Sequence, residues 1–256
     1  MNSAEPIIRV EKLTAGYDGR TVLEGVSFEV FPGEVFVILG GSGCGKSTLL
    51  KHMIGLYPPV SGNIRIDGEN IVTAEGADRQ RLLQKIGVMY QSGALFGSLN
   101  LLENVMLPLE EFTRMPLEAR EMVASLKLKL VGLEGFPHHL PAEISGGMKK
   151  RAAIARAMAL DPRIIFLDEP SAGLDPITSA ELDQLILNLA RSLRITFVIV
   201  SHELASIYSV ADRVIMLDQR TRGIVAEGKP LDLKEHSENP WVRRFFNRAV
   251  VSGEHS

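Results

Sequence analysis

Hydrophobic positions follow three patterns along this chain. Ile7 to Tyr17 and Thr21 to Val30 alternate apolar and polar side chains and are broken by Asp18-Gly19 and Pro32-Gly33. That spacing predicts two antiparallel strands with tight turns. Val35 to Leu39, Arg163 to Leu167 and Ile195 to Val200 are nearly continuous apolar runs, expected of strands covered on both faces. Gly62 to Gly68 and Ile86 to Tyr90 predict shorter strands, and Met216, Leu217 and Gly223 to Gly228 a closing hairpin. The third pattern is helical, over Ser47 to Ile54, Asn100 to Val105, Leu117 to Val131 and Met148 to Leu160. Leu182, Leu185, Ile186, Leu189 and Leu193 form a further stripe at helical spacing, opened by Asp175 as a cap and Pro176 at the first helical position.

Buried strands interleaved with helices predict an α/β fold with a P-loop core, a region of antiparallel strands near the N-terminus and an inserted helical lobe. Residues 1–256 are expected to form one domain, with the lobe over roughly 92–160, punctuated by Pro108, Pro116, Pro137 and Pro141, and a tail over 229–256 that carries Trp241, Phe245 and Phe246 among charges. That tail reads either as a brace for a dimer or as a frayed surface segment. Composition changes this picture little. The chain is 45% hydrophobic and 23% charged, with a net charge of −3 that gives no general attraction to nucleic acid or anionic lipid. One cysteine excludes an internal disulfide and suits a reducing cytoplasm. No apolar run is long enough to span a bilayer, and Met1 to Pro6 lacks the basic and apolar parts of a signal peptide, so any membrane role is expected to come through a partner.

The chemistry concentrates where the first buried run ends. Gly40, Gly41, Ser42, Gly43, Cys44, Gly45, Lys46, Ser47 and Thr48 carry the pattern G-x-x-x-x-G-K-[ST] between a strand and a helix. Such a pattern arises by accident in roughly one chain in a hundred of this length, and its strand-loop-helix setting identifies a phosphate-binding loop. Glycines let successive N–H groups converge on one point, and the helix adds the positive end of its dipole. Lys46 supplies charge for the β- and γ-phosphates, and Ser47 a hydroxyl for Mg²⁺. Cys44 reads first as a small filler, but its place beside a helix start and Lys46 is expected to favour its thiolate, so that a thiol reagent blocks nucleotide binding and ATP protects.

A second buried run ends in Asp168-Glu169. Two carboxylates at a strand's carboxyl end suit an ATPase in which Asp168 holds Mg²⁺ and Glu169 polarises the attacking water. Ser145-Gly146-Gly147 opens another helix and is an anion-binding device of its own. Lys149, Lys150 and Arg151 follow it, either as a solvated basic face or because something negative is met there. Taken singly, Gln91 reads as a polar strand cap, Asp175 as a helix cap and His202 as a satisfied structural histidine.

Together, Tyr17, Gly40 to Thr48, Gln91, Ser145-Gly146-Gly147, Ile164 to Glu169, Ser171 to Asp175 and His202 stand in the order found in the nucleotide-binding domain of ABC transporters, a resemblance that covers about residues 7–228. It implies binding of ATP and Mg²⁺, with Tyr17 stacking on adenine, Gln91 contacting Mg²⁺ and sensing a permease, and His202 contacting the γ-phosphate. It further implies a head-to-tail dimer in which Ser145, Gly146 and Gly147 of one copy close over ATP held by the other, with Asp175 in the loop between subunits. Catalysis would then fall to Glu169, His202 and Lys46, and metal binding to Ser47, Gln91 and Asp168.

Met148 and Ile144 depart from the commonest signature of that family, which has glutamine and leucine there. A thioether cannot donate a hydrogen bond, which leaves the ATP contact to Ser145 and backbone amides. Ile144 to Arg151, Gln91 to Phe96, Glu169 to Ile177 and Asn239 to Asn247 resemble the ATPases of MCE-type (Mla-type) phospholipid transport systems. The implied setting is the cytoplasmic face of a bacterial inner membrane, with a second copy, a permease and an MCE-domain protein as partners and no nucleic acid. The rivals are an ATPase for another solute and a soluble ABC mechanoenzyme. Against the second stand a single cassette, no sustained heptads and no basic excess.

Overall fold

The computed structural model describes residues 5–17 and 19–247. Asp18, expected in the first turn, lies outside the described residues, as do residues 1–4 and the last part of the tail, 248–256.

The alternating segments form β1 (Ile8–Tyr17) and β2 (Arg20–Val30), which pair antiparallel. The continuous apolar run forms β3 (Val35–Gly40) and leads through the glycine loop into α1 (Lys46–Met53). β4 (Ser61–Ile66) and β5 (Glu69–Asn70) join the first pair in a four-stranded antiparallel sheet of order β2-β1-β4-β5. Then come α2 (Gly76–Gln84), β6 (Ile86–Met89), α3 (Leu101–Phe112), α4 (Leu117–Leu130) and α5 (Gly146–Ala157). The remaining elements are β7 (Ile164–Asp168), α6 (Pro176–Leu193), β8 (Thr196–Val200), α7 (Leu204–Val210), β9 (Arg213–Asp218), β10 (Gly223–Gly228), α8 (Pro230–His236) and α9 (Pro240–Asn247). A second sheet has the order β10-β9-β3-β8-β7-β6, parallel except for β10 at one edge.

Side-chain alternation explains why the central strands look uniformly apolar. Val35, Val37 and Leu39 of β3 pack on one face with Ile165 and Leu167 of β7 and Phe197 and Ile199 of β8, against α3 to α7. Phe36 and Ile38 face the other way with Phe166, Val198 and Val200, against the antiparallel sheet and α1. Every residue of β3, β7 and β8 is buried. One layer on each face leaves no polar side.

Three sequence expectations change. Pro108 lies inside α3 rather than at its end. A proline removes its own N–H from the ladder and crowds the carbonyl four residues back, but Val105 and Leu109 anchor both sides of it in the core. α2 carries a single buried residue, Leu82, so it has no apolar stripe to betray it. The tail is ordered through Asn247: Val242 and Phe246 of α9 are buried beside Tyr208, whose hydroxyl donates to the Phe246 carbonyl at 3.0 Å.

α5 meets β6 at Gly87, where an added Cβ would lie 2.1 Å from the Ala157 carbonyl oxygen. Because that neighbour is backbone, Gly87→Ala must push α5 off the sheet, and about 1–3 kcal/mol of stability should be lost. Chemical denaturation tests this, and an unchanged midpoint contradicts so close an approach.

Candidate functional site

The candidate site forms where three parallel strands end at one level. In register across the sheet, Ile38 of β3 pairs with Val200 of β8, and Val200 pairs with Asp168 of β7. Two backbone bonds lock the exits: Glu169 N donates to Val200 O at 2.9 Å, and Ser201 N donates to Ile38 O at 3.2 Å. The glycine loop, the carboxylate pair and His202 therefore leave the sheet side by side.

Gly40, Gly43 and Gly45 adopt φ of 150°, 74° and 103°. At Gly40 a Cβ would sit 2.5 Å from the Leu217 carbonyl oxygen and 2.6 Å from the Cys44 sulfur, so the loop's path excludes any larger residue. α1 starts at Lys46 with no side-chain cap and no acidic residue in its first turn, which leaves its orphan N–H groups and positive dipole end facing the loop. Lys46 Nζ donates to the carbonyls of Gly40 (2.9 Å) and Gly41 (3.0 Å). His52, one turn on, donates Nδ1 to the Thr48 carbonyl at 2.8 Å.

Across the loop, Ser47 Oγ donates to Asp168 Oδ1 at 3.4 Å. Burial pushes the Asp168 carboxyl above its usual range, and the neighbouring Glu169 charge adds to the effect against the Ser47 bond and Lys51 and Lys46. Glu169 is buried in the left-handed region (φ 47°), which is costly for a side-chain-bearing residue. Its Oε1 meets His202 Nδ1 at 2.8 Å, whereas Oε2 is buried with no hydrogen-bond partner among the described residues. A carboxylate pair beside a hydroxyl, one oxygen left unpaired, is hard-oxygen chemistry that suits a small divalent cation.

A cavity of about 750 Å³ unites the loop, Glu169 and His202, while Asp168 lines an adjoining pocket with Gln91 and Lys51. The cavity is lined by Tyr17, Val22, Gly40 to Gly43, Gly45 to Thr48, Gln91, Glu169, His202 and Phe245. Cys44 is absent from the wall because its side chain turns into the core. Tyr17 packs its ring against Tyr57 (5.1 Å, edge-on) and His52 (5.8 Å).

Besides Cys44 and Asp168, the predicted positions Ser145, Gly146, Gly147, Met148 and Asp175 lie off this wall. Ser145 caps α5, its Oγ accepting from Met148 N at 3.2 Å, and Met148 packs on the core. Gly146 abuts Leu174 just before α6, and a Cβ on Gly147 would meet Thr178 Cγ2 of α6 at 2.4 Å. Asp175 caps α6: Oδ1 accepts from Ile177 N and Thr178 N (3.0 and 3.1 Å) and Oδ2 from Thr178 Oγ1 (2.5 Å). These bonds, Thr178's first, hold its carboxyl below the usual range.

Two features escaped the sequence. Lys150 is buried rather than on a solvated face, with its ammonium donating to the Gln91 carbonyl and, at 3.4 Å, to that of Glu169. Arg151 instead pairs with Glu181 at 2.6 Å. The tail also reaches the loop: Trp241 lies 3.8 Å from the place a Cβ on Gly41 would take, under the Arg220 guanidinium at 5.8 Å. Aromatic residues among charges were the one hint of that packing.

The Cys44 expectation is corrected. Burial raises its thiol pKa and outweighs Lys46 and the local backbone amides, so the thiol form is favoured. At pH 7 it should react with a maleimide more slowly than a free cysteine, and the rate should climb as pH rises through the alkaline range. Mass-spectrometric labelling rates check this, and faster labelling than free cysteine at pH 7 would contradict it.

Three comparisons bear on the site. Residues 23–172 match the family model described as ABC transporter. A relative from Mycobacterium leprae named "Probable ribonucleotide transport ATP-binding protein mkl" is 42% identical over 241 residues, 94% of this chain and 68% of the relative; its mycobacterial counterparts are spanned over 66% of their length. The Escherichia coli K12 "Intermembrane phospholipid transport system ATP-binding protein MlaF" is 39% identical over 228 residues, 89% of this chain and 84% of that protein. Among solved structures, the dimeric ATP-binding cassette MJ0796 in a post-hydrolysis state with ADP and Pi superposes with a TM-score of 0.78 at 33% identity, covering 87% of this chain and 98% of that one.

Proposed function

The chain belongs to the ABC transporter family and is an ATP-hydrolysing subunit of it, and from that premise we propose that it drives phospholipid transport between bacterial envelope membranes through a separate permease and an MCE-domain protein. The observation that carries the chemistry is the shared wall of loop glycines, Lys46, Ser47, Gln91, Glu169 and His202. The phospholipid cargo rests on the likeness to MlaF.

In this reading the loop amides and the start of α1 grip the phosphates, and Lys46 exchanges its carbonyl partners for phosphate oxygens. Tyr17 provides the face for adenine. Ser47 and Asp168, with Gln91, would hold Mg²⁺, whose chemistry when bound would be charge neutralisation on the phosphates. Glu169 orients a water and accepts its proton as the water oxygen bonds to the γ-phosphorus and the bond to ADP breaks. His202, anchored to Glu169 through Nδ1, would donate its Nε2–H toward the γ-phosphate as the doubly protonated imidazolium. The dimeric form of MJ0796 supports a self-dimer here too, which the family resemblance makes head-to-tail. Its second copy would bring Ser145, Gly146, Gly147 and Met148 to the nucleotide, with Asp175 beside the junction.

No helix among the described residues is long and apolar enough to cross a membrane. The permease contact is supported by Phe96, 57% exposed in the segment after Gln91. Buried Asn104 holds that segment in shape, accepting from Phe96 N and donating to the carbonyls of Phe96, Leu99 and Asn100. Attachment would place the chain on the cytoplasmic face of the inner membrane. A second reading, ribonucleotide transport, is favoured by the name of the 42% identical relative.

Lys46→Ala should lose nucleotide binding by at least about a hundredfold, whereas Glu169→Gln should bind ATP normally and lose at least about a hundredfold in turnover. Filter binding and phosphate release test both, and parental turnover in Glu169→Gln would remove it from its role. For the cargo, the tagged chain is drawn from gently solubilised native membranes and its companions are identified by mass spectrometry. A permease, an MCE-domain protein and phospholipid are expected; a permease with a soluble solute-binding protein supports the second reading.

A further inference from the structure

Helix α5 holds two separate parts of the site by their backbones. Lys150, one of the few buried charges in the chain, donates its ammonium to the Gln91 carbonyl and, at 3.4 Å, to the Glu169 carbonyl. Six residues on, Arg156 donates to the carbonyls of Gly93 (3.0 Å) and Ala94 (2.7 Å). The segment after β6 is thus clamped at both ends to the helix that Ser145 caps. Glu169 needs such support: its left-handed φ of 47° persists only if its surroundings over-determine it. Its N–H is fixed by Val200, and its carbonyl accepts from Ala172 N at 3.2 Å and from Lys150. A buried ammonium satisfied by carbonyls gives up its hydration for those bonds, and replacement by an apolar group removes the ammonium donor from the Gln91 carbonyl and leaves the Glu169 carbonyl with Ala172 N alone.

From this geometry we infer that Lys150 is a positioning residue for hydrolysis, tying the Gln91 segment to the backbone of Glu169 so that movement of one is felt by the other. The inference rests on the reading of Glu169 given above. Lys150 lies off the cavity wall, so it sets the rate of the chemical step without holding nucleotide. The same bonds give a physical link from the surface beside Phe96 to the carboxylate, through one side chain rather than through the sheet.

The test compares Lys150→Met, Lys150→Arg and Glu169→Gln in the full-length chain, measuring kcat and KM for ATP, binding of trinitrophenyl-ATP and thermal melting. Lys150→Met should bind the analogue within about threefold of the parent and keep KM, while kcat falls on the order of tenfold. Lys150→Arg, which keeps a charged donor as Arg156 does, should recover most of that rate. If the Met variant does not fold, Lys150→Gln, which keeps a neutral donor, takes its place with the same expected split. A folded Met or Gln variant at parental kcat overturns the inference, as does loss of analogue binding in step with kcat or an Arg variant no better than Met. Parental turnover in Glu169→Gln overturns the Glu169 reading itself, and this inference with it, which separates the two failures.

Discussion

The site depends on the parallel register of β3, β8 and β7. Because Ile38, Val200 and Asp168 stand at one level, three chain segments emerge together: the glycine loop, Ser201-His202 and Glu169. Parallel strands all point the same way, so every connection from a carboxyl end opens on the same edge, where α/β sheets take their ligands. The apolar layers on both faces hold that register, and a one-residue slip of β7 would turn Asp168 from the site into the core. Core packing and chemistry are therefore one constraint.

The electrostatics of the edge follow from it. Asp168 and Glu169 are adjacent and both mostly removed from water, and burial together with the like charge disfavours ionisation of Asp168. Lys46, Lys51 and Lys150 are the nearby cations, but the ammonium groups of Lys46 and Lys150 are engaged by backbone carbonyls and Lys51 does not outweigh burial. The carboxylate pair is left short of compensating charge, a state that nucleotide-bound metal would relieve. His202 stands apart as the exposed member, able to reach outward while anchored to Glu169.

How much was legible in the sequence depended on the range of the interactions involved. The phosphate-binding loop could be read because its backbone path demands glycine at fixed spacing, and the same locality made Asp175 readable as a cap. The uninterrupted runs of β3, β7 and β8 announced strands covered on both faces, and the alternating β1 and β2 an antiparallel pair. Lys150 could not be read, since its partners lie 59 and 19 residues away and its burial comes from how α5 docks on β6. Cys44 was misjudged for a related reason: neighbours in sequence argued for the thiolate, while burial beneath the loop, a tertiary effect, argued more strongly the other way. Pro108 was taken for a boundary because core anchoring on both its sides is invisible to local propensity.

The wall formed by one chain lacks Ser145, which caps α5, and Gly146 and Gly147, which lie against Leu174 and Thr178 instead. The central claim is that a second copy supplies them and that one chain alone holds an incomplete site. The direct measurement is phosphate release per chain across a dilution series in ATP and Mg²⁺, with light scattering on the same samples to follow dimer and monomer. The account predicts that turnover per chain falls in step with the dimer fraction. Undiminished turnover in samples shown to be monomeric would contradict it.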